Sequence, residues 1–201
     1  MNSSGHRYFV IHKPYNMVSQ FVSPHPVRLL GDLDFDFPEG THAIGRLDNA
    51  SEGLLLLTTN KKVTKLLFQG TVPHKRTYVV KAKNIVTDAS IEVLRNGITF
   101  MSGHKEDYTT LPCEVDRTTP PDNLANRPGD YNDHPHTWLR MTLVEGKFHQ
   151  IRKMLDHIRH RCQRLVRVSI EGIELGDLRS GEVRELPEAE FFARLGITDY
   201  E

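Results

Sequence analysis

The sequence predicts a mixed α/β protein in which short strands alternate with a few amphipathic helices. The leucine run at residues 54–57 is short, follows a glycine and precedes polar residues, which is typical of a strand buried on both faces. In contrast, Ile151, Met154, Leu155 and Ile158 recur at helical spacing and predict an amphipathic helix. Hydrophobic and charged contents of 38% and 26% over 201 residues are ordinary for a globular protein with a sizeable core.

The first half of the chain predicts strands from β-branched and aromatic runs, and helices from apolar spacing and capping residues. The predicted segments are a strand at 8–12, a short helix at 27–33, a strand at 54–58, a helix around 63–67 ending at Gly70, a strand at 75–83, a helix between Thr87 and Gly97, and paired strands at 98–101 and 109–115 around a turn at Gly103.

The second half begins with residues 117–136, which hold four prolines and no periodicity and therefore predict a long loop. Beyond this loop, alternating and helical patterns are regular again. The predicted segments are a strand at 138–144, a helix at 147–158, strands at 164–170 and 181–186, and a closing helix at 187–195.

The charge is unevenly distributed although the formal net charge is zero. Residues 140–167 hold eight lysines and arginines against two acidic residues, together with three histidines. Residues 171–201 hold nine acidic residues against three arginines. A basic segment beside an acidic one is expected of a protein that meets RNA with one face, and equally of two solvated surfaces of opposite charge.

Several classes of protein are not favoured by the sequence. No apolar run approaches 18 residues and the first residues lack a signal-peptide core, so we expect a cytoplasmic protein without a membrane segment. Cys113 and Cys162 lack metal-ligand spacing and are expected to be reduced, packed thiols. His157 and His160 are three residues apart but no further ligand completes a zinc set, so no metal site is expected.

The most informative stretch is residues 45–58, which read Gly-Arg-Leu-Asp-Asn-Ala-Ser-Glu-Gly-Leu-Leu-Leu-Leu-Thr. It places Asp48 on a loop that leads directly into the buried strand, and loops on a rigid scaffold are common places for catalytic groups. A carboxylate that is already ionised can act as a nucleophile without a base. The alternative is that Asp48 caps a turn and Arg46 is its surface partner.

The stretch 45–58 resembles the catalytic signature of the RsuA-type pseudouridine synthases. Three further segments resemble motifs of the same family: Tyr-Phe-Val-Ile-His-Lys-Pro-Tyr at 8–15, Lys-Arg-Thr-Tyr-Val-Val at 75–80 and His-Gln-Ile-Arg-Lys-Met at 149–154. The resemblance covers residues 8–195. The chain is most similar to the short members of the family, which lack a separate N-terminal RNA-binding domain.

The resemblance implies a pseudouridine synthase fold. In this fold a mixed, mainly antiparallel central sheet is flanked by helices and divided into two subdomains around a basic cleft. We expect residues 1–201 to be a single catalytic domain without a separate N-terminal RNA-binding domain, acting as a monomer. The implied reaction is the isomerisation of a uridine to pseudouridine in ribosomal RNA, with 23S rRNA as the expected target and without a cofactor.

The resemblance also implies the roles of individual residues. The aspartate at the position of Asp48 is the catalytic carboxylate, the arginine at Arg152 pairs with it, and the tyrosine at Tyr78 stacks on the target base. The target uridine is flipped out of its stack. Arg46 would fill the vacated space and contact phosphate, and Leu165 would lie under the flipped base.

Each of these roles has a structural alternative. On a helical wheel Arg152 lies about 100° from the centre of the apolar stripe, where it can turn into a cleft or extend to solvent. Tyr78 and Leu165 could belong to the core, and Arg46 could form a structural ion pair. The basic side chains of Arg76 and of Lys153, which the wheel places almost opposite the core, are expected to contact RNA; Lys153 could equally be solvated.

Other functions remain compatible with the sequence. The chain could be a non-catalytic RNA-binding assembly factor on the same fold, or a synthase that acts on small-subunit rRNA or tRNA. A carboxylate glycosidase would need a second acid close to Asp48. Glu52 is the candidate for this second acid, although the Ser-Glu-Gly sequence around it is more typical of a turn.

Overall fold

The computed structural model describes residues 5–68, 73–101, 106–127, 130 and 134–200. The strands are β1 (Tyr8–Lys13), β2 (His42–Ile44), β3 (Glu52–Thr58), β4 (Arg76–Lys83), β5 (Thr99–Met101), β6 (Asp107–Thr109), β7 (Glu114–Arg117), β8 (His136–Leu143), β9 (Cys162–Ile170), β10 (Ile173–Glu174) and β11 (Val183–Leu186). The helices are α1 (Val63–Phe68), α2 (Asp88–Arg95), α3 (Gln150–His157) and α4 (Glu188–Leu195). Strands and helices are therefore mixed along the chain, as predicted.

The chain divides into two compact units. The first unit comprises Met1–His74, Asn123–Ala125 and Arg167–Glu201, and the second comprises Lys75–Asp122 and Asn126–Val166. Strand β9 contributes its first five residues to the second unit and its last four to the first. The prediction that the whole chain is one catalytic domain stays a prediction.

In the first unit β1 pairs antiparallel with both β3 and β11, and β2 also pairs antiparallel with β3. Leu54–Leu57 are all fully buried, which confirms the prediction of a strand with both faces covered. Helix α4 packs on β1, because the Tyr8 ring lies 4.7 Å from that of Phe191 and 5.4 Å from that of Phe192. The strand that follows the Asp48 loop is therefore held in the centre of this unit.

The predicted helix at 27–33 is wrong in extent, since the structure forms only a 3₁₀ turn at Leu30–Asp32. The residues that follow this turn pack through aromatic rings. The rings of Phe35 and Phe37 meet the ring of Phe9 edge-on, at centroid distances of 5.5 and 5.7 Å. Edge-to-face contacts of this kind need no helical periodicity, so local sequence patterns do not predict them.

In the second unit β8 pairs antiparallel with β4 on one side and β7 on the other. The alternation predicted for β8 is confirmed, because Leu139, Met141 and Leu143 are buried. Helices α2 and α3 contribute their apolar faces to the same core cluster, with Ile91 and Leu94 on α2 and Ile151, Met154 and Leu155 on α3.

The prediction of one strand at 109–115 is wrong. The structure ends β6 at Thr109, where it pairs with β5, and begins β7 at Glu114, where it pairs with β8. Pro112 lies between them and has no N–H to donate to a ladder. The predicted helix end at Gly70 and the predicted turn at Gly103 lie outside the described residues. Within the described ranges, none of the helices has both the length and the apolarity that crossing a membrane requires.

Replacing Gly97 by alanine is expected to lower the free energy of unfolding by about 3 kcal/mol. Gly97 follows α2 with a φ of +86°, and an added Cβ would lie 2.4 Å from the carbonyl oxygen of Thr110. Gly40 has a similar φ of +81° but nothing within 4 Å of a Cβ, so Gly40→Ala should cost only about 1 kcal/mol. Urea unfolding of both variants measures the difference; equal losses would mean that the clash with Thr110 does not occur.

Candidate active site

Asp48 lies on the loop between β2 and β3, as the sequence predicts, and its side chain is half-buried. The preceding residue, Leu47, is buried and its backbone is fixed twice by Ser19. The Ser19 hydroxyl accepts from the Leu47 N–H at 3.0 Å and donates to the Leu47 carbonyl at 2.9 Å. The N–H of Ser51 donates to the Asp48 carbonyl at 2.9 Å. The backbone is thus restrained on both sides of Asp48.

Lys13 is buried beside the loop that carries Asp48, and the sequence did not indicate its importance. It is 0% exposed, and its ammonium donates to the carbonyls of Pro14 at 2.9 Å, Met17 at 2.6 Å and Asn49 at 3.4 Å. Burial lowers the pKa of Lys13 to about 7, against the attraction of the Glu52 and Asp48 carboxylates. The Lys-Pro pair was the available signal, since it ends the first predicted strand and belongs to the segment 8–15 that resembles a family motif, but it did not indicate a buried amine.

Glu52 is buried at the first position of β3 and is therefore not a surface turn residue. Its carboxylate attracts the Lys13 ammonium. Arg46, two residues before Asp48, is exposed. Among the described residues Arg46 makes no ion pair, so the interpretation of Arg46 as a structural ion-pair partner finds no support in this part of the chain.

The second unit carries Tyr78 and Arg76 on β4, where they share a face with Val80 and Ala82. Val80 and Ala82 are fully buried in the core cluster, and Tyr78 packs against that cluster while remaining half-buried. Tyr78 is opposite Met141 in the register with β8. It therefore combines core packing with partial access to solvent. Its role in stacking on a base stays a prediction, and so does RNA contact by Arg76.

Arg152 lies on α3 and is half-buried, in agreement with its predicted place at the edge of the core face. Its Nη1 is 3.7 Å from the Sγ of Cys162, and burial raises the pKa of the Cys162 thiol to about 11 despite that positive charge. Cys113 and Cys162 are both free thiols, as expected. The pairing of Arg152 with Asp48 stays a prediction.

Lys153 is less solvated than the helical wheel predicts. Its side chain is half-buried, and its Nζ donates to the Met101 carbonyl at 3.1 Å and lies 5.0 Å from the centroid of Phe100. Leu165 is 6% exposed and belongs to the core cluster of the second unit, which favours ordinary packing. RNA contacts by both residues stay predictions.

The turn before α3 is organised by Gln150, which sequence reasoning missed. Gln150 is 5% exposed; its Oε1 accepts from the N–H of Lys147 at 2.9 Å and its Nε2 donates to Glu145 at 2.6 Å. His149 precedes the helix with a left-handed φ of 55°. These contacts fix the backbone from which Arg152 and Lys153 project.

The basic segment does not form one charged surface. Arg164 and Arg167 are buried: Arg164 pairs with Asp130 at 2.7 Å, and Arg167 donates to the Leu54 carbonyl at 2.8 Å. Asp130 also pairs with the buried Lys81 at 2.7 Å. Two of the eight cations counted in the sequence are therefore structural, while Arg140, Lys147, Arg159 and Arg161 are exposed.

The candidate residues are distributed over both units. Asp48 and Arg46 belong to the first unit. Tyr78, Arg76, Arg152, Lys153 and Leu165 belong to the second. In the part of the chain that the structure describes, no group of three or more His, Cys, Asp or Glu side chains could hold a metal ion.

Comparison with known proteins identifies the family that this chain resembles. A model of the family described as RNA pseudouridylate synthase matches residues 7–157. Ribosomal large subunit pseudouridine synthase E of Vibrio vulnificus is 35% identical over 182 residues, covering 90% of this chain and 75% of that protein. Ribosomal small subunit pseudouridine synthase A of Escherichia coli is 30% identical over 187 residues, covering 92% and 73%.

A solved structure described as a pseudouridylate synthase superposes with a TM-score of 0.73 at 24% identity, covering 94% of this chain and 74% of that one. The fold class predicted from the sequence is confirmed by this similarity. The predicted resemblance to the pseudouridine synthases is confirmed by the family model and by the similarity to the Vibrio protein.

Proposed function

The chain belongs to the RNA pseudouridylate synthase family, and we propose that it isomerises a uridine of ribosomal RNA with Asp48 as its catalytic carboxylate. The observation that carries this proposal is the position of Asp48. It is a half-buried carboxylate on a loop that Ser19 and Ser51 restrain through the backbone, directly before the buried strand β3. A catalytic group needs such a fixed backbone and an accessible side chain.

The reaction exchanges one bond of the nucleoside for another. The bond between N1 of uracil and C1′ of the ribose breaks, the base turns while it is held, and C5 is joined to C1′. The hydrogen on C5 leaves as a proton and N1 gains one, so the product is an isomer of the substrate. Asp48 acts in one of two ways, by attacking C1′ or by taking a proton from the sugar.

The remaining roles are proposed on the family motifs. Arg152 pairs with Asp48 and orients it, and Tyr78 stacks on the target base; both side chains are half-buried and so keep a surface for a ligand. Arg46, exposed and without an ion pair among the described residues, contacts phosphate beside the flipped-out uridine. Arg76 and Lys153 supply further positive charge to the RNA, and Leu165 lies under the base.

We further propose 23S rRNA as the target molecule. The support is the 35% identity to a large-subunit synthase, against 30% to a small-subunit synthase. The enzyme would act as a monomer in the cytoplasm, where bacterial ribosomal RNA is made. Small-subunit rRNA and tRNA are the competing substrates. The reaction would be the same on all three RNAs, so the choice among them depends on which RNA the protein binds.

Tritium release from RNA labelled at C5 of uridine tests this function. With transcripts of 23S rRNA, 16S rRNA and a tRNA pool, we expect release from 23S rRNA alone. Release from 16S rRNA or tRNA alone would overturn the large-subunit assignment but keep the reaction. RNA binding without release from any of the three would contradict catalysis on these RNAs and favour an assembly factor.

A further inference from the structure

Phe148 is an exposed aromatic side chain in the turn that precedes α3. It is 66% exposed, although exposing the apolar area of a phenyl ring to water is unfavourable. Its ring stacks on that of His149 with centroids 3.9 Å apart and planes 16° from parallel. His149 is exposed as well. The pair therefore presents a flat aromatic surface to solvent.

This aromatic surface is bordered by positive charge. Lys147 is exposed, with its Nζ 4.8 Å from the centroid of Tyr108, and the Nζ of Lys153 is 5.8 Å from the centroid of Phe148. The nearby Glu145 carboxylate is engaged by internal donors. It accepts from the hydroxyl of Tyr108, from the N–H of Leu111 at 3.0 Å and from Gln150 at 2.6 Å.

The surface is also held in place by the backbone. The N–H of Gln150 donates to the Lys147 carbonyl at 3.0 Å, and the Gln150 side chain accepts from the Lys147 N–H at 2.9 Å. Lys153 anchors to the Met101 carbonyl of β5 at 3.1 Å. A ring on a fixed turn loses little conformational freedom when a ligand stacks on it, which favours binding.

We propose that the surface formed by Phe148 and His149, with Lys147 and Lys153 at its border, binds an unpaired nucleotide of the RNA, distinct from the uridine that reacts. This inference rests on the proposed RNA substrate. Aromatic rings interleaved with cations bind single-stranded RNA because bases stack on the rings while lysines meet the phosphates. A base within a duplex already has both faces stacked, so the surface selects unpaired segments.

Binding of labelled oligouridine tests the proposal independently of turnover. For a single strand of about twelve nucleotides, Phe148→Ala is expected to weaken binding about tenfold, because one base loses its stacking partner. Phe148→Tyr should bind as the wild type does. Ile85→Ala is the matched control, because Ile85 is 63% exposed in the same unit but carries no ring, and it should leave binding unchanged.

The same oligomer without bases separates stacking from charge. Wild type and Phe148→Ala should bind it equally, whereas Lys147→Gln should weaken the binding of both oligomers and reduce the salt slope by about 0.7. An unchanged affinity of Phe148→Ala for oligouridine, or an equal loss on both oligomers, would overturn the proposal. The thermal midpoints of all variants show whether the fold is intact.

Steady-state kinetics link the surface to the substrate. On 23S rRNA, Phe148→Ala should raise KM about tenfold and leave kcat unchanged, since the ring would hold the RNA and not the reacting atoms. A fall in kcat alone would contradict the proposal. If wild type releases no tritium while the oligouridine results hold, the RNA-binding surface stands and the proposed reaction fails.

Discussion

Asp48→Asn is expected to reduce tritium release from labelled 23S rRNA by roughly a thousandfold or more, and to change the RNA dissociation constant less than about threefold. The amide has the shape of the carboxylate but neither attacks a sugar carbon nor takes a proton. The contacts that restrain the loop use the Ser19 hydroxyl and backbone groups, so the substitution leaves them in place. Single-turnover release with excess enzyme measures the chemical step, and filter binding measures the affinity.

The control is Asp34→Asn, which removes an equal charge from an exposed position of the same unit. It should release tritium as the wild type does. Full release by Asp48→Asn would refute Asp48 as the catalytic carboxylate. Joint loss of release and binding would assign Asp48 to RNA contact or loop structure. Glu52→Gln then tests whether the second carboxylate, which is buried at the start of β3, takes part in the reaction.

The part of the fold around Asp48 could be predicted from the sequence because it follows from local patterns. Four consecutive leucines leave no polar face, so β3 had to be buried on both sides, and Leu54–Leu57 are fully buried. The loop before them, between Gly45 and Gly53, therefore had to lie at the end of this strand. The same reasoning predicted β8 and α3, where one apolar face is repeated at a strand or helix period.

The remaining parts depend on partners far away in the sequence. Strand β2 is three residues long and forms by pairing with β3. Local periodicity does not predict a strand of this kind. Arg164 was counted as part of a basic surface, yet Asp130 reaches it from the long loop and allows it to be buried. A charge count along the chain cannot distinguish an exposed cation from one neutralised by a distant carboxylate.

For the candidate site, motif similarity could suggest roles for Asp48, Tyr78 and Arg152 but not what holds their backbone. Gln150 is an ordinary polar residue in a helical pattern, and only the structure shows it joining Glu145 to Lys147. Lys13 directly follows the strand predicted at 8–12, and the sequence predicted no role for its amine. Its burial depends on β3, the loop at Asn49 and the carbonyl of Met17 meeting around one amine.

Lys13 is expected to make the protein more stable as the pH rises from neutral. Burial lowers its pKa from 10.5 to about 7. Above pH 7 the folded protein releases the Lys13 proton, whereas the unfolded chain keeps it until the pH approaches 10.5. Because the unfolded state then binds more protons, the titration of Lys13 should raise the free energy of unfolding by about 2 kcal/mol between pH 7 and pH 9.

Two thiols oppose this rise at the upper end of the pH range. Burial raises the pKa of Cys113 and Cys162 from 9.0 to about 11, so these thiols keep their protons in the folded protein after the unfolded chain has lost them. Their effect on stability has the opposite sign, begins near pH 8 and reaches about 0.4 kcal/mol for each thiol at pH 9. Both thiols are kept in Lys13→Met, so the difference between the wild type and this variant, measured by urea unfolding at several pH values between 7 and 9, isolates the contribution of Lys13.

Lys13→Met keeps the length of the side chain and removes the amine. The rise in unfolding free energy with pH should disappear, and the variant should fall behind the wild type by about 2 kcal/mol more at pH 9 than at pH 7. At pH 9 the neutral amine of the wild type still donates to the carbonyls of Met17 and Pro14, and the methionine leaves these buried acceptors without that donor. Lys83→Met, at an exposed lysine, should retain the rise. A difference between the wild type and Lys13→Met that is the same at pH 7 and at pH 9 would show that Lys13 does not titrate there, and that its amine stays charged beside the loop that carries Asp48.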